Sequence, residues 1–179
     1  MKEWITEASK YLYETPYGNL RSDSCVLPNG TKIDDYYVHE YPDWVNIIAI
    51  NENNELLLVK QYRQGVRDFF LEIVAGSVKS GEHHEETAIR ELEEETGYIC
   101  IERPILMGAF YCNPAIQNNK IYMYYCDKIK KSSIQQLDDT EEIETISIPF
   151  NVIDNYINDG SISQLFSVTA INMVKERKR

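Results

Sequence analysis

Along this chain, apolar residues come mostly in short runs bounded by turn-forming residues, the pattern of a β-rich domain. Asn29-Gly30 is a strong hairpin turn between residues 24–27 and 32–38. Residues 45–50 form a nearly continuous apolar run, a polar turn covers 51–54, and 56–59 form a second run. Together they predict two buried antiparallel strands. Further strands are predicted over 69–74, 104–111, 120–125 and 143–148, with the turn-rich stretch 112–119 separating two of them. A helical period is predicted over about 82–96, stopped by Gly97, and again over 151–156 and 164–175. The tally is a mixed sheet with a few helices, arranged as a β-rich prefix over residues 1–42 and a main domain over 43–179.

Composition narrows the function. The 179 residues suffice for one domain with a full core plus a small extension, so no disulfide or metal staple is needed for folding. Hydrophobic residues at 43% and charged residues at 26% are ordinary for a globular protein, which excludes wholesale disorder. A net charge of -11 disfavours sequence-independent binding to nucleic acid or to an anionic membrane. An anionic substrate would then require a bound cation. The first residues carry acids where a secretory leader needs an apolar run, and no stretch approaches the roughly 20 apolar residues of a membrane span. The expected location is therefore the cytoplasm. Cys25, Cys100, Cys112 and Cys126 are widely spaced with no Cys-x-x-Cys pair, which predicts reduced thiols rather than a zinc or redox motif.

The helix predicted at 82–96 is badly built for local stability. Seven glutamates (82, 85, 86, 91, 93, 94, 95) and one arginine, Arg90, place six of the eleven net negative charges in this short stretch. At about 100° per residue, Glu91, Glu94 and Glu95 share one face, while Ala88, Ile89 and Leu92 form the apolar stripe. Like charges at these spacings repel, and acids in the last turn meet the negative end of the helix dipole. Converging carboxylates of this kind are compensated by a hard divalent cation, with magnesium the obvious candidate. The bland alternative is a solvated acidic helix face. The preceding turn, residues 74–81, changes the weighting: its backbone carbonyls could reach the same metal, and its glycines allow close approach.

The segment reads Gly76, five residues, Glu82, seven residues, then Arg90-Glu91-Leu92-Glu93-Glu94-Glu95-Thr96-Gly97-Tyr98. It resembles the Nudix box, G-x5-E-x7-R-E-U-x-E-E-x-G-U with U apolar, at every fixed position except the last, where Tyr98 stands. The resemblance implies a Nudix fold of the α/β (α+β) class, a mixed β-sheet sandwiched between α-helices, here with an N-terminal antiparallel β extension. It also implies hydrolysis, dependent on magnesium or manganese, of a nucleoside diphosphate linked to another group. By position, Glu91, Glu94 and Glu95 would be metal-binding carboxylates, with the Ala75 carbonyl as a further ligand. Glu82 would be a supporting acid and Arg90 would orient a glutamate.

Four features resemble the ADP-ribose pyrophosphatase-like branch: Gln61-Tyr62-Arg63, Leu71-Glu72-Ile73-Val74-Ala75-Gly76 with Thr96-Gly97-Tyr98, Pro114 lying 16 residues after Tyr98, and the β-rich prefix. The branch implies ADP-ribose cleaved to AMP and ribose 5-phosphate, with GDP-mannose or another nucleotide sugar as alternatives, and a homodimer formed through the prefix. Arg63 would contact phosphate or ribose, and Trp44 with nearby Tyr41 would stack on the base. Val74 replaces the usual proline. The loop after Pro114 offers only Gln117, Asn118 and Asn119, amides that cannot act as a general base. Glu141 is the best-placed acid for that role, against simple solvation of its acidic loop. His83 and His84 are expected to be exposed helix residues. A nucleotide sensor without turnover and an acidic structural domain are the competing classes.

Overall fold

The computed structural model describes residues 1–178. Contacts divide the chain into an N-terminal unit, residues 1–43 with 110–121, and a larger unit made of residues 44–109 together with the chain from Tyr122 onward.

The N-terminal unit is a three-stranded antiparallel sheet in the order β1 (Ile5–Thr15), β2 (Gly18–Val26), β3 (Lys32–Glu40). The Asn29-Gly30 turn joins β2 to β3 as the pattern requires, with Gly30 at φ 86°. Strand β1 was not expected as a separate element. It is exposed along all eleven residues, so it lacks the alternation that betrays a half-buried strand. Its turn to β2 places Gly18 at φ 145° against the Tyr41 ring, where a Cβ would come within 2.6 Å.

The larger unit is built on a mixed sheet ordered β11 (Ile143–Pro149), β5 (Glu55–Arg63), β4 (Trp44–Asn51), β10 (Lys120–Lys131), β8 (Tyr98–Cys100). Strands β6 (Asp68–Glu72), β7 (Val74–Ser77) and β9 (Ile105–Tyr111) pair with β5, β4 and β10 respectively. The apolar run over 69–74 is thus two strands rather than one. The ladder breaks at Ile73, whose N–H donates instead to the Ser167 hydroxyl at 3.1 Å, and the chain then changes partner from β5 to β4.

Three helices complete this unit: α1 (His84–Thr96), α2 (Ile153–Asn158) and α3 (Leu165–Lys178). Side-chain alternation along β4 divides the core. Val45, Ile47 and Ala49 join Ala88 and Leu92 of α1 in one buried cluster. Asn46, Ile48 and Ile50 project to the opposite face, on which α3 packs with Ala170, Ile171 and Val174 buried. The expected stripe of α1 holds at Ala88 and Leu92, while Ile89 is only half-buried.

Helix α1 starts two residues later than its charge pattern suggests, because His83 caps it. The His83 ring accepts from the Glu85 N–H, and the Glu86 carboxylate accepts from the His83 N–H. His84 is not exposed: its ring stacks on Tyr122 at 4.0 Å and bonds the Tyr124 hydroxyl. Gly97 ends the helix at φ 70° with its N–H on the Glu93 carbonyl, the left-handed cap the sequence predicts.

Candidate active site

The helix end that is poorly built for stability faces strand β7. Gly76 meets Glu91 so closely that a Cβ on the glycine would lie 2.0 Å from the carboxyl carbon of Glu91. One helical turn on, Glu95 is 4% exposed, and its Oε2 has no hydrogen-bond partner. Burial, with the charge of Glu91 beside it, pushes the Glu95 carboxyl up to about 8, and the Ala75 N–H pulls it back only in part. Burial also raises Glu91.

Arg90 orders the rest of the acidic cluster. Its guanidinium bonds both oxygens of Glu82 at 2.8 and 3.1 Å, Glu94 at 2.7 Å and Glu91 at 2.8 Å. Hydrogen bonds from Arg90 hold Glu82 at about 2. Glu94 therefore leans toward Arg90, while Glu91 and Glu95 lie against β7.

Among the described residues, no three His, Cys, Asp or Glu side chains already form a metal cage. The arrangement nevertheless fits a hard divalent cation. It offers oxygen donors only, one carboxylate oxygen is buried without a partner, and the missing Cβ of Gly76 opens the backbone beside Glu91. Magnesium in particular takes one or two carboxylates and completes its shell with water and substrate phosphate oxygens.

On the other side of β7 lies a cavity of about 480 Å³. Trp44, Phe70 and Phe166 supply aromatic walls, and Ala75 and Gly76 form the edge shared with the acidic cluster. Arg63 also lines it, held by a fork-like ion pair to the buried carboxylate of Glu72. Glu141 stands in the turn before β11, close enough for its charge to raise Glu91 and Glu95, and its carboxylate accepts the Asp138 N–H at 3.1 Å.

The larger unit therefore brings together Trp44, Arg63, Ala75, Arg90, Glu91, Glu94, Glu95 and Glu141. Pro114 and Tyr41 belong to the N-terminal unit instead. There Pro114 sits in a turn closed by the Gln117 N–H on the Asn113 carbonyl at 2.8 Å. Among the cavity residues that were not anticipated are two carboxamides. Asn46 sits in an apolar run and reads as an interruption, and Gln164 reads only as the start of a helix.

A glutamate-rich helix docked against a glycine-bearing strand, over a mixed sheet with helices on both faces, defines a hydrolase of the Nudix type. Residues 40–166 match the NUDIX domain and residues 4–39 the nucleoside diphosphate sugar hydrolase N-terminal domain, so the chain belongs to the Nudix family. It is 32% identical to a methanol dehydrogenase activator of Bacillus methanolicus, over 87% of this chain and 84% of that protein. It is 28% identical to an ADP-ribose pyrophosphatase of Bacillus subtilis, over 80% and 77%. A solved structure described as an ADP compounds hydrolase superposes with TM-score 0.85 at 19% identity, covering 98% of this chain and 94% of the other. That likeness establishes the fold. Among the described residues, no helix is long and apolar enough to cross a membrane.

Proposed function

We propose that this protein hydrolyses the pyrophosphate bond of ADP-ribose, releasing AMP and ribose 5-phosphate, with magnesium or manganese as cofactor. The observation that carries this reading is the meeting of Glu91, packed against Gly76, and of the buried Glu95, whose Oε2 has no partner, with the Gly76 edge of an aromatic-walled cavity. The family supports the reaction type, and the Bacillus subtilis relative supports the substrate.

When bound, the cation supplies Lewis acidity for the diphosphate and lowers the pKa of the attacking water. Glu91 and Glu95, with Glu94 and the Ala75 carbonyl, hold it. Arg90 keeps the glutamates in place through its bonds to Glu82, Glu91 and Glu94. Arg63 presents the exposed part of its guanidinium to a phosphate or ribose oxygen, anchored by Glu72. Trp44 stacks on the nucleoside. Glu141, close enough for its charge to raise Glu91 and Glu95, takes the proton from water.

The N-terminal unit supports a homodimer. Strand β1 is a free sheet edge carrying exposed Ile5, Tyr11, Leu12 and Tyr13, a combination that a monomer seldom leaves bare. Light scattering after size exclusion reads this directly, and a monomer at micromolar concentration removes the proposal.

The function is tested by incubating the protein with ADP-ribose, GDP-mannose, UDP-glucose and a nucleoside triphosphate, with and without magnesium, beside a Glu94→Gln control. Metal-dependent AMP release that the control abolishes is the expected result. Preference for GDP-mannose changes the substrate and keeps the chemistry, whereas tight binding without turnover of any of them makes the protein a nucleotide sensor.

A further inference from the structure

The cavity beside β7 contains two carboxamides for which the hydrolytic chemistry has no use. Asn46 lies opposite Ala75 in the β4–β7 ladder, so its side chain leaves the sheet on the cavity face, as does that of Trp44 opposite Ser77. Its neighbours in sequence, Val45 and Ile47, turn the other way into the core with α1. Asn46 is only 3% exposed, and it lines the cavity. A carboxamide is a costly choice at so enclosed a sheet position, which with valine and isoleucine on either side would accept another aliphatic residue.

Gln164 approaches the same cavity from the start of α3. Its Oε1 accepts from the Ser167 N–H at 2.7 Å and from the Ser167 hydroxyl at 2.8 Å. The Ser167 oxygen accepts in turn from the Ile73 N–H, the one released where β6 gives way to β7. Because a backbone N–H can only donate, the orientation of the Gln164 amide is settled: oxygen toward Ser167, NH2 away from it. Gln164 thus offers the cavity donors only, in a position fixed by the sheet itself.

Both amides stand among Trp44, Phe70 and Phe166, walls suited to a flat heterocycle. The edge that one primary amide matches is adenine, whose N6 amino group donates beside the N7 acceptor. Guanine presents O6 and N7, two acceptors, and would leave the amide oxygen of Asn46 facing another oxygen. We propose that Asn46 and Gln164 are the specificity residues of this cavity, selecting adenine over guanine in the nucleotide part of the substrate. Asn46 reads the N6 and N7 edge, and Gln164 donates to a second ring nitrogen. This rests on the pyrophosphatase reading only in taking the ligand to be a nucleotide.

Binding of AMP, IMP and GMP is measured by titration calorimetry for the wild type, Asn46→Ala and Gln164→Glu, alongside kcat and KM for ADP-ribose and its inosine analogue. IMP differs from AMP at the position where an oxygen replaces the N6 amine, which isolates the proposed contact. The wild type is expected to bind AMP at least tenfold more tightly than IMP or GMP, and Asn46→Ala to bring those ratios near one. Gln164→Glu retains an oxygen for Ser167 and so keeps the start of α3 intact. It is expected to weaken AMP about tenfold with unchanged Tm, the effect falling on KM more than on kcat, as a role confined to the helix start would not do. An AMP to IMP ratio near one in the wild type, or a ratio that Asn46→Ala leaves unaltered, overturns the assignment. Absence of turnover with a large AMP to IMP ratio removes the pyrophosphatase reading and keeps this one.

Discussion

Glu91 occupies the space that a side chain at Gly76 would need: a Cβ there would stand 2.0 Å from the glutamate's carboxyl carbon and 2.1 Å from its Oε1. The glycine's conformation is not at issue, because its φ is not in the left-handed region. Its role is to let a carboxylate lie against a strand. Gly76→Ala is therefore expected to displace Glu91 and lower kcat/KM at least a hundredfold, about 2.7 kcal/mol in transition-state terms, while the protein stays folded. Steady-state kinetics with circular dichroism decide it, and activity within a few-fold of wild type would mean that Glu91 can serve from another position.

The pair Glu82 and Arg90 makes stability depend on acid. Glu82 titrates at about 2 in the folded protein against an ordinary 4.5, so the unfolded chain binds its proton first. The stabilisation is complete above about 4.5 and is lost as pH falls toward 2. With both side chains partly exposed, solvent screening reduces it to about 1–2 kcal/mol, worth roughly 2–8 °C for a chain of this size. Melting curves should show wild type losing more Tm than Glu82→Gln between pH 5 and pH 2.5. Parallel curves would mean the pair contributes nothing.

Glu95 is a liability to the metal-free fold. Its Oε2 is buried and unbonded, and its carboxyl is raised to about 8, so near neutral pH the folded protein holds a proton that the unfolded chain releases. Glu95→Gln should raise the metal-free Tm by a few degrees and lose most of the stabilisation that wild type gains from magnesium, about 2.7 kcal/mol at a hundred times Kd. Differential scanning fluorimetry with and without the cation measures both. A variant that melts lower without metal, or keeps the full magnesium shift, would place the cation elsewhere.

What could be read from the sequence followed from locality. The spacing from Gly76 to Gly97 carries its own physics, since repulsion among neighbouring acids on one helix needs no tertiary context to be noticed. Helix α1, its left-handed cap and the carboxylates against β7 all lie within that span. The break at Ile73 could not be read, because the group that takes its N–H is Ser167, 94 residues away. The same distance hides Gln164, which becomes a cavity residue only once α3 is seated on β4. Strand β1 escaped notice for the opposite reason, having no buried face to impose a pattern. His84 looked exposed because its partners, Tyr122 and Tyr124, come from a strand on the far side of the sequence.

Arg63 and Glu72 test whether an arginine serves the substrate or the fold. Glu72 is 3% exposed and Arg63 42%, so the arginine neutralises a buried acid while keeping part of its guanidinium free for the cavity. Arg63→Ala removes both functions: it strands Glu72, costing about 1–3 kcal/mol for a pair open on one side, and it deletes the cavity contact. Arg63→Ala with Glu72→Leu relieves the first loss and leaves the second. The double variant is expected to regain most of the Tm lost by the single one while KM for ADP-ribose stays at least tenfold above wild type. Arg63→Lys, which keeps the charge without the planar fork, should hold stability within about 1 kcal/mol of wild type and still raise KM. If the double variant recovers KM together with Tm, Arg63 acts on the substrate only through the fold.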